Sequence, residues 1–285
     1  MTWTLDIVGV AATAPTLNSP ASAYLVRGDA GSVLVDCGPG TVLELARRGA
    51  IGDLIAVVVT HRHADHALDL GALAFRLQFP IPRESPLPLY FPAESLDFVE
   101  VFDDMIGIPT VPALQAPLAQ AFDVRGLDLN TPTPIQIAPG LVLTAFAAQH
   151  AVPSASLRFE DTTTGAVLAF SSDTSDCVGL RSAADSADLF ICEATYLQAS
   201  VQELEGHGHL TGAGAGAVAA ACDVSTLLLS HIANPALASA IRADAADAAG
   251  PRVETILARP EMQFTLQPMP IGSTVLGQLP ASIPR

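Results

Sequence analysis

The chain has 285 residues, half of them hydrophobic and 15% charged, which is enough to bury a sizeable core and excludes a disordered or low-complexity protein. Its 29 acidic residues outnumber 13 basic ones, every one of them Arg, for a formal charge of −16. That balance argues against long nucleic-acid contacts, yet a small anionic substrate needs only one locally positive cleft. Cys37, Cys177, Cys192 and Cys222 are scattered, with neither a CxxC pair nor a dense framework, and read as reduced core thiols. The N-terminus shows no basic leader followed by an apolar stretch, and no apolar run is long enough to span a bilayer. A cytoplasmic protein of one domain, residues 1–285, is expected.

Three β-rich segments open the chain, TLDIVGV, SAYLVRG and SVLVDCG, separated by turn-forming clusters. TVLELARRGAIGDL then carries helical spacing, IAVVVT suits a buried strand, and ALDLGALAFRLQF is helical again. From Phe79 to Gly140 prolines recur, and only LPLYFPA and SLDFVEVFDDMIG look regular, so a Pro-rich insertion or lid is expected there. LVLTAFAAQH, SASLRFED and AVLAFSSD read as strands, followed by the strand DLFICEAT, the helix TGAGAGAVAAACD, the strand TLLLSH, the helix ALASAIRADAADA and a last strand near VETILA. Strands and helices in both halves fit a four-layer α/β/β/α sandwich, two mixed sheets flanked by helices.

The chemistry concentrates in His61-Arg62-His63-Ala64-Asp65-His66, directly after the buried strand. Four ligand-type side chains in one short loop are costly without a partner, and imidazole nitrogen with carboxylate oxygen is the usual donor set for Zn²⁺ and related ions. Three further candidates end strands: His150, Asp173 and His231, where open α/β sheets place their sites. The Ala/Gly run from Gly212 to Gly216 lacks GxxxxGK[ST] and reads as a closely packed helix start. Cys177 and Cys192 are read as inert buried thiols, and His207 receives no role.

The order HxHxDH, His, Asp, His resembles the metallo-β-lactamase superfamily over nearly the whole chain. The resemblance implies two divalent cations, zinc first with Mn²⁺ or Fe²⁺ as alternatives: one held by His61, His63 and His150, the other by Asp65, His66 and His231, with Asp173 bridging. Within the superfamily, VDCGPGT, HAVPSASLRF, SSDT, ICEATY and GHLTGAGAG are similar to segments of the RNase Z-like branch and of bacterial cyclic-nucleotide phosphodiesterases that resemble a shortened RNase Z. Ser172 replaces that branch's Gly and Cys192 its His, while Glu193 and His209 survive. The resemblance implies that His209 is a general acid held by Glu193, that Asp65 orients the nucleophile as well as binding metal, and that the protein is a homodimer.

The resulting expectation is a metal-dependent hydrolase of small phosphodiesters such as cyclic nucleotides. A lactonase or thioesterase is the alternative, disfavoured because Thr174-Ser175-Asp176-Cys177 follows Asp173 where quorum-signal lactonases have a Tyr. Transfer-RNA 3′ processing ranks lower, since only twenty-two residues separate His150 from Asp173 and leave no room for a tRNA-binding arm.

Overall fold

The computed structural model describes residues 2–200, 202 and 206–268. Its first sheet holds β1 (Thr4–Gly9), β2 (Ala23–Gly28), β3 (Gly31–Val35), β4 (Leu54–Val58), β5 (Leu87–Pro92), β6 (Phe122–Leu127) and, at the other edge, β14 (Gln263–Thr265), in the order β14-β1-β2-β3-β4-β5-β6. The second holds β7 (Ile135–Ala138), β8 (Leu141–Ala147), β9 (Ala155–Asp161), β10 (Val167–Phe170), β11 (Leu189–Glu193), β12 (Thr226–Ser230) and β13 (Glu254–Leu257), in the order β13-β12-β11-β10-β9-β8-β7. Each sheet is mixed. The strands from β14 through β3 pair antiparallel and those from β3 through β6 parallel, while β7 through β10 pair antiparallel and β10 through β13 parallel.

The strands read as near-continuous apolar runs because both faces of each sheet are covered. Alternation along a strand then sorts residues between two apolar layers instead of between core and water. Ala56 and Val58 of β4 join the layer between the sheets, whereas Leu54 and Val57 pack under the helices α1 (Thr41–Arg47), α3 (Leu70–Gln78), α4 (Asp97–Ile106) and α5 (Pro117–Ala121). Likewise Leu189 and Ile191 of β11 face the inter-sheet layer, and Phe190 and Cys192 face α6 (Val178–Ala184), α7 (Gly212–Ala221) and α8 (Ala238–Ala249). The four layers expected from the sequence are therefore present, and Cys192 is buried on the helix side with its thiol pushed up by burial. The Ala/Gly run is a helix–helix contact: a Cβ at Gly212 or Gly216 would meet the Ile241 or Ala245 carbonyl at 2.3 or 2.1 Å.

Residues 79–140 are more regular than their prolines suggest. They supply β5, α4, α5 and β6, which extend the first sheet, and β7, which begins the second. Pro88 and Pro92 flank the short β4 pairing at Leu89 and Tyr90, and Pro117 opens α5, positions that need no amide donor. Among the described residues no helix is long and apolar enough to cross a membrane.

Candidate metal centre

The parallel strands of both sheets point their carboxyl ends at one edge of the sandwich, and the sequence-selected residues meet there. Beyond β4 the chain turns through His61 and His63 into a short helix, α2 (Ala64–Ala67), which carries Asp65 and His66. His150, Asp173 and His231 follow β8, β10 and β12. All seven converge into two groups that share Asp173: His61, His63, His150 and Asp173, and Asp65, His66, His231 and Asp173.

In the first group His63 Nδ1 lies 3.1 Å from His61 Nε2 and 3.0 Å from His150 Nε2, with Asp173 Oδ2 at 3.7 and 4.0 Å from those two Nε2 atoms. In the second, His66 Nε2 and His231 Nε2 are 3.4 Å apart, Asp65 Oδ2 lies 3.7 and 3.0 Å from them, and the Asp173 carboxylate 3.4 and 3.5 Å. Donor atoms at ~2.0–2.2 Å from a tetrahedral cation are separated by roughly 3.3–3.6 Å, which is the spacing that these groups approach.

The outer ring nitrogens show which lone pairs face inward. His66 Nδ1 donates to Asp36 Oδ2 at 2.7 Å and His150 Nδ1 to the Gly208 carbonyl at 3.0 Å. His231 Nδ1 meets Thr195 Oγ1 at 3.0 Å, and His61 Nδ1 meets Thr60 Oγ1 at 3.2 Å. Both hydroxyls have a carboxylate to donate to, Glu193 and Asp36 respectively, so each accepts from its imidazole. When neutral, these four imidazoles therefore turn their Nε2 lone pairs inward, an arrangement that repels itself unless a cation sits among them.

Burial opposes charge on His66 and His231, but Asp173 and a second carboxylate, Asp36 or Asp65, outweigh it and raise both. Burial, then the neighbouring imidazoles, lowers His61. Asp65 is held below its ordinary range: burial works the other way, but the His231 hydrogen bond and the charges of His66 and His231 prevail.

Glu193, at the end of β11, and His209 stand beside the centre. His209 Nδ1 donates to Glu193 Oε1 at 3.0 Å, and the His209 ring stacks on His231 at 5.8 Å and meets the His150 ring edge-on at 5.1 Å. Burial disfavours its charge, yet the Glu193 hydrogen bond and charge raise His209 above the ordinary value. His207 is exposed.

Residues 32–232, more than half of the chain, match a family described as a beta-lactamase superfamily domain. The chain belongs to the metallo-β-lactamase superfamily. It is a hydrolase of that fold, with His/Asp clusters suited to metal ions. Among its curated relatives, uncharacterized protein ML1173 of Mycobacterium leprae is 32% identical, covering 81% of this chain and 78% of its own. A ribonuclease Z of Streptomyces avermitilis is 27% identical over 80% of this chain and 85% of its own. The metallo-β-lactamase fold protein YhfI of Bacillus subtilis superposes with a TM-score of 0.76 at 22% identity, over 93% of this chain and 99% of that one. A diphosphatase of the PhnP family does so at 0.67 and 18% identity, over 94% and 99%. At those identities the two structures speak for the fold alone.

Within this superfamily fold, four supporting residues escaped the sequence reading. Asp36 touches no cation-facing atom, yet it accepts from His66 and from both the amide and hydroxyl of Thr60, at 2.7, 2.8 and 3.0 Å, and so braces both groups. The resemblance of VDCGPGT was a signal that it mattered, but gave it no task. Thr195 lies in ICEATY, and Gly208 sits between His207 and His209, with nothing in the sequence to mark its carbonyl. Thr13 was unmarked; its amide donates to Asp65 Oδ2 at 2.7 Å. Thr13, Asp36, Ser172 and His231 all adopt φ between 53 and 60°. That explains why Gly suits position 172 in the resembled branch; here the left-handed Ser is held by Ser154 Oγ at 2.9 Å.

Proposed function

We propose that this chain is a dinuclear metal-dependent phosphodiesterase that hydrolyses small phosphodiesters such as cyclic nucleotides. The observation that carries the reading is the His209–Glu193 pair beside the two cation-suited groups: a phosphodiester expels an alkoxide, which needs a proton, as a lactone's alkoxide would and a thioester's thiolate would not. His61, His63, His150 and Asp173 would hold one ion, Asp65, His66, His231 and Asp173 the other. Five imidazoles and two carboxylates without a thiolate favour zinc, with Mn²⁺ and Fe²⁺ as competitors. Bound there, the two ions supply Lewis acidity and a water of lowered pKa.

The chain's own groups do the rest. Asp65, anchored by the Thr13 amide, orients the attacking water. His209, its Nδ1–H committed to Glu193, presents Nε2–H to the leaving oxygen, and the Glu193 carboxylate raises its pKa, favouring the form that carries that proton. Relatives named ribonuclease Z support phosphoryl over acyl substrates. The formal charge of −16 and the short β9–β10 hairpin that fills the space between His150 and Asp173 favour a small substrate over tRNA. Residues 1–285 would act as one catalytic domain, and the homodimer that the RNase Z-like resemblance implies belongs to the same proposal.

The test is a panel on zinc-reconstituted protein: bis(p-nitrophenyl) phosphate, 3′,5′-cyclic nucleotides, a lactone and a thioester. Hydrolysis of the diesters is expected, and His209→Ala is expected to keep both ions while losing turnover, most for cyclic nucleotides with their poor leaving group. Turnover confined to the lactone or thioester would replace the reading with acyl hydrolysis.

A further inference from the structure

We infer that Thr195 is a positioning residue whose single hydroxyl proton sets both the tautomer of His231 and the seat of Glu193, so that the second cation group and the general-acid pair are ordered by one atom. The inference rests on the reading that His231 holds a cation. Thr195 Oγ1 lies 2.5 Å from Glu193 Oε2, 3.0 Å from His231 Nδ1 and 3.4 Å from His209 Nδ1. A hydroxyl has one proton to give and two lone pairs to offer. The Glu193 carboxylate only accepts, so the proton points to it, and the lone pairs are left for imidazole N–H groups. Neutral His231, the form that can hold a cation, must then carry its hydrogen on Nδ1, which leaves the Nε2 lone pair facing Asp65 and His66.

The same carboxylate is the junction for the remaining partners. Glu193 Oε1 accepts from His209 Nδ1 at 3.0 Å and from the Thr174 amide, next to Asp173, at 2.8 Å; Oε2 accepts from the Leu210 amide at 3.1 Å as well as from Thr195. Without the hydroxyl, His231 Nδ1–H would face no acceptor, and Glu193 would lose its shortest contact. At 5% exposure Thr195 leaves little room for solvent to take over. The backbone there is fixed separately: the Ala233 amide donates to the Thr195 carbonyl at 3.2 Å, and the Tyr196 amide donates to Leu210. Removing the hydroxyl is thus a change of hydrogen bonding, not of chain path.

The experiment compares full-length wild type, Thr195→Val and Thr195→Ser, stripped of metal and titrated with zinc against a chromophoric chelator. Wild type is expected to take two ions. The valine variant keeps the methyl-sized volume but loses the hydroxyl; it should bind one ion at wild-type affinity and the other about 10–100-fold more weakly, with serine restoring it to within a few-fold. Wild type binding fewer than two ions overturns the underlying reading. Wild type binding two while the valine variant binds both at wild-type affinity overturns the role of Thr195. If circular dichroism of the stripped valine variant shows that it has not folded, Thr195→Ala takes its place, and equal affinities of the alanine and serine variants for the weaker ion overturn the proposal.

Discussion

Asp36→Asn is the substitution that most directly probes how the centre is held. Asp36 is 2% exposed and accepts at 2.7 Å from His66 Nδ1, at 2.8 Å from the Thr60 amide and at 3.0 Å from the Thr60 hydroxyl. Its φ of 60° is one that Asn tolerates as well as Asp, so the backbone is spared. The carboxamide, however, offers one oxygen and one NH₂ in place of two acceptors. With the oxygen kept on Thr60, the NH₂ confronts His66 Nδ1–H; the imidazole must then move its proton to Nε2, the atom that faces the cation group. Loss of such an outer partner weakens metal binding by about 10–100-fold, or ~1.4–2.8 kcal/mol at 1.4 kcal/mol per tenfold. With the amide rotated, the buried Thr60 N–H is left without an acceptor instead, and the stripped protein should lose about 1–3 kcal/mol of stability. Zinc competition titration reads the first cost and thermal unfolding of the stripped protein reads the second. If affinity for both ions stays within twofold of wild type and unfolding is unchanged, Asp36 does not brace the centre.

Two further outcomes follow from the same geometry. Gly208 has φ 71°, and a Cβ there would lie 2.3 Å from the Gln149 carbonyl oxygen; Gly208→Ala should displace the carbonyl that His150 donates to and weaken one ion by tenfold or more, leaving the other unaltered in the same titration. Metal uptake should also release protons. Burial disfavours charge on His66 and His231, but Asp173 and its neighbours raise both, so the stripped protein keeps protons there to higher pH than ordinary His. A ligand imidazole must be neutral, so affinity should climb with pH until those raised values are passed and fall as pH is lowered. Titration with a pH indicator in weak buffer near neutrality measures this directly; zinc binding without proton release would contradict it.

What the sequence made legible was the part written in short-range pattern. IAVVVT, AVLAFSSD and TLLLSH announce buried strands by their apolar runs, and the ligand-type residues beyond them stand out because imidazoles and carboxylates are conspicuous next to such strands. The stretch from Phe79 to Gly140 was less readable because Pro88, Pro92 and Pro117 sit at harmless positions that only the strand pairing reveals. β14 is three residues long and owes its existence to β1, with no periodicity of its own. Asp36, Thr195 and Gly208 were silent for a different reason: a carboxylate, a hydroxyl and a carbonyl gain meaning only from the imidazole each one touches, and those partners lie 30, 36 and 58 positions away along the chain.

The division of the cluster between the sheets has a consequence for how the protein matures. Each of the two groups draws one pair of donors from the loop after β4, His61 with His63 or Asp65 with His66, and the other pair from the second sheet, His150 with Asp173 or His231 with Asp173. In a growing chain the first group is complete once Asp173, beyond β10, has been made, whereas the second waits for His231, beyond β12. Each group is thus assembled only after both sheets have contributed to it, and an ion held there would tie the loop after β4 to the second sheet.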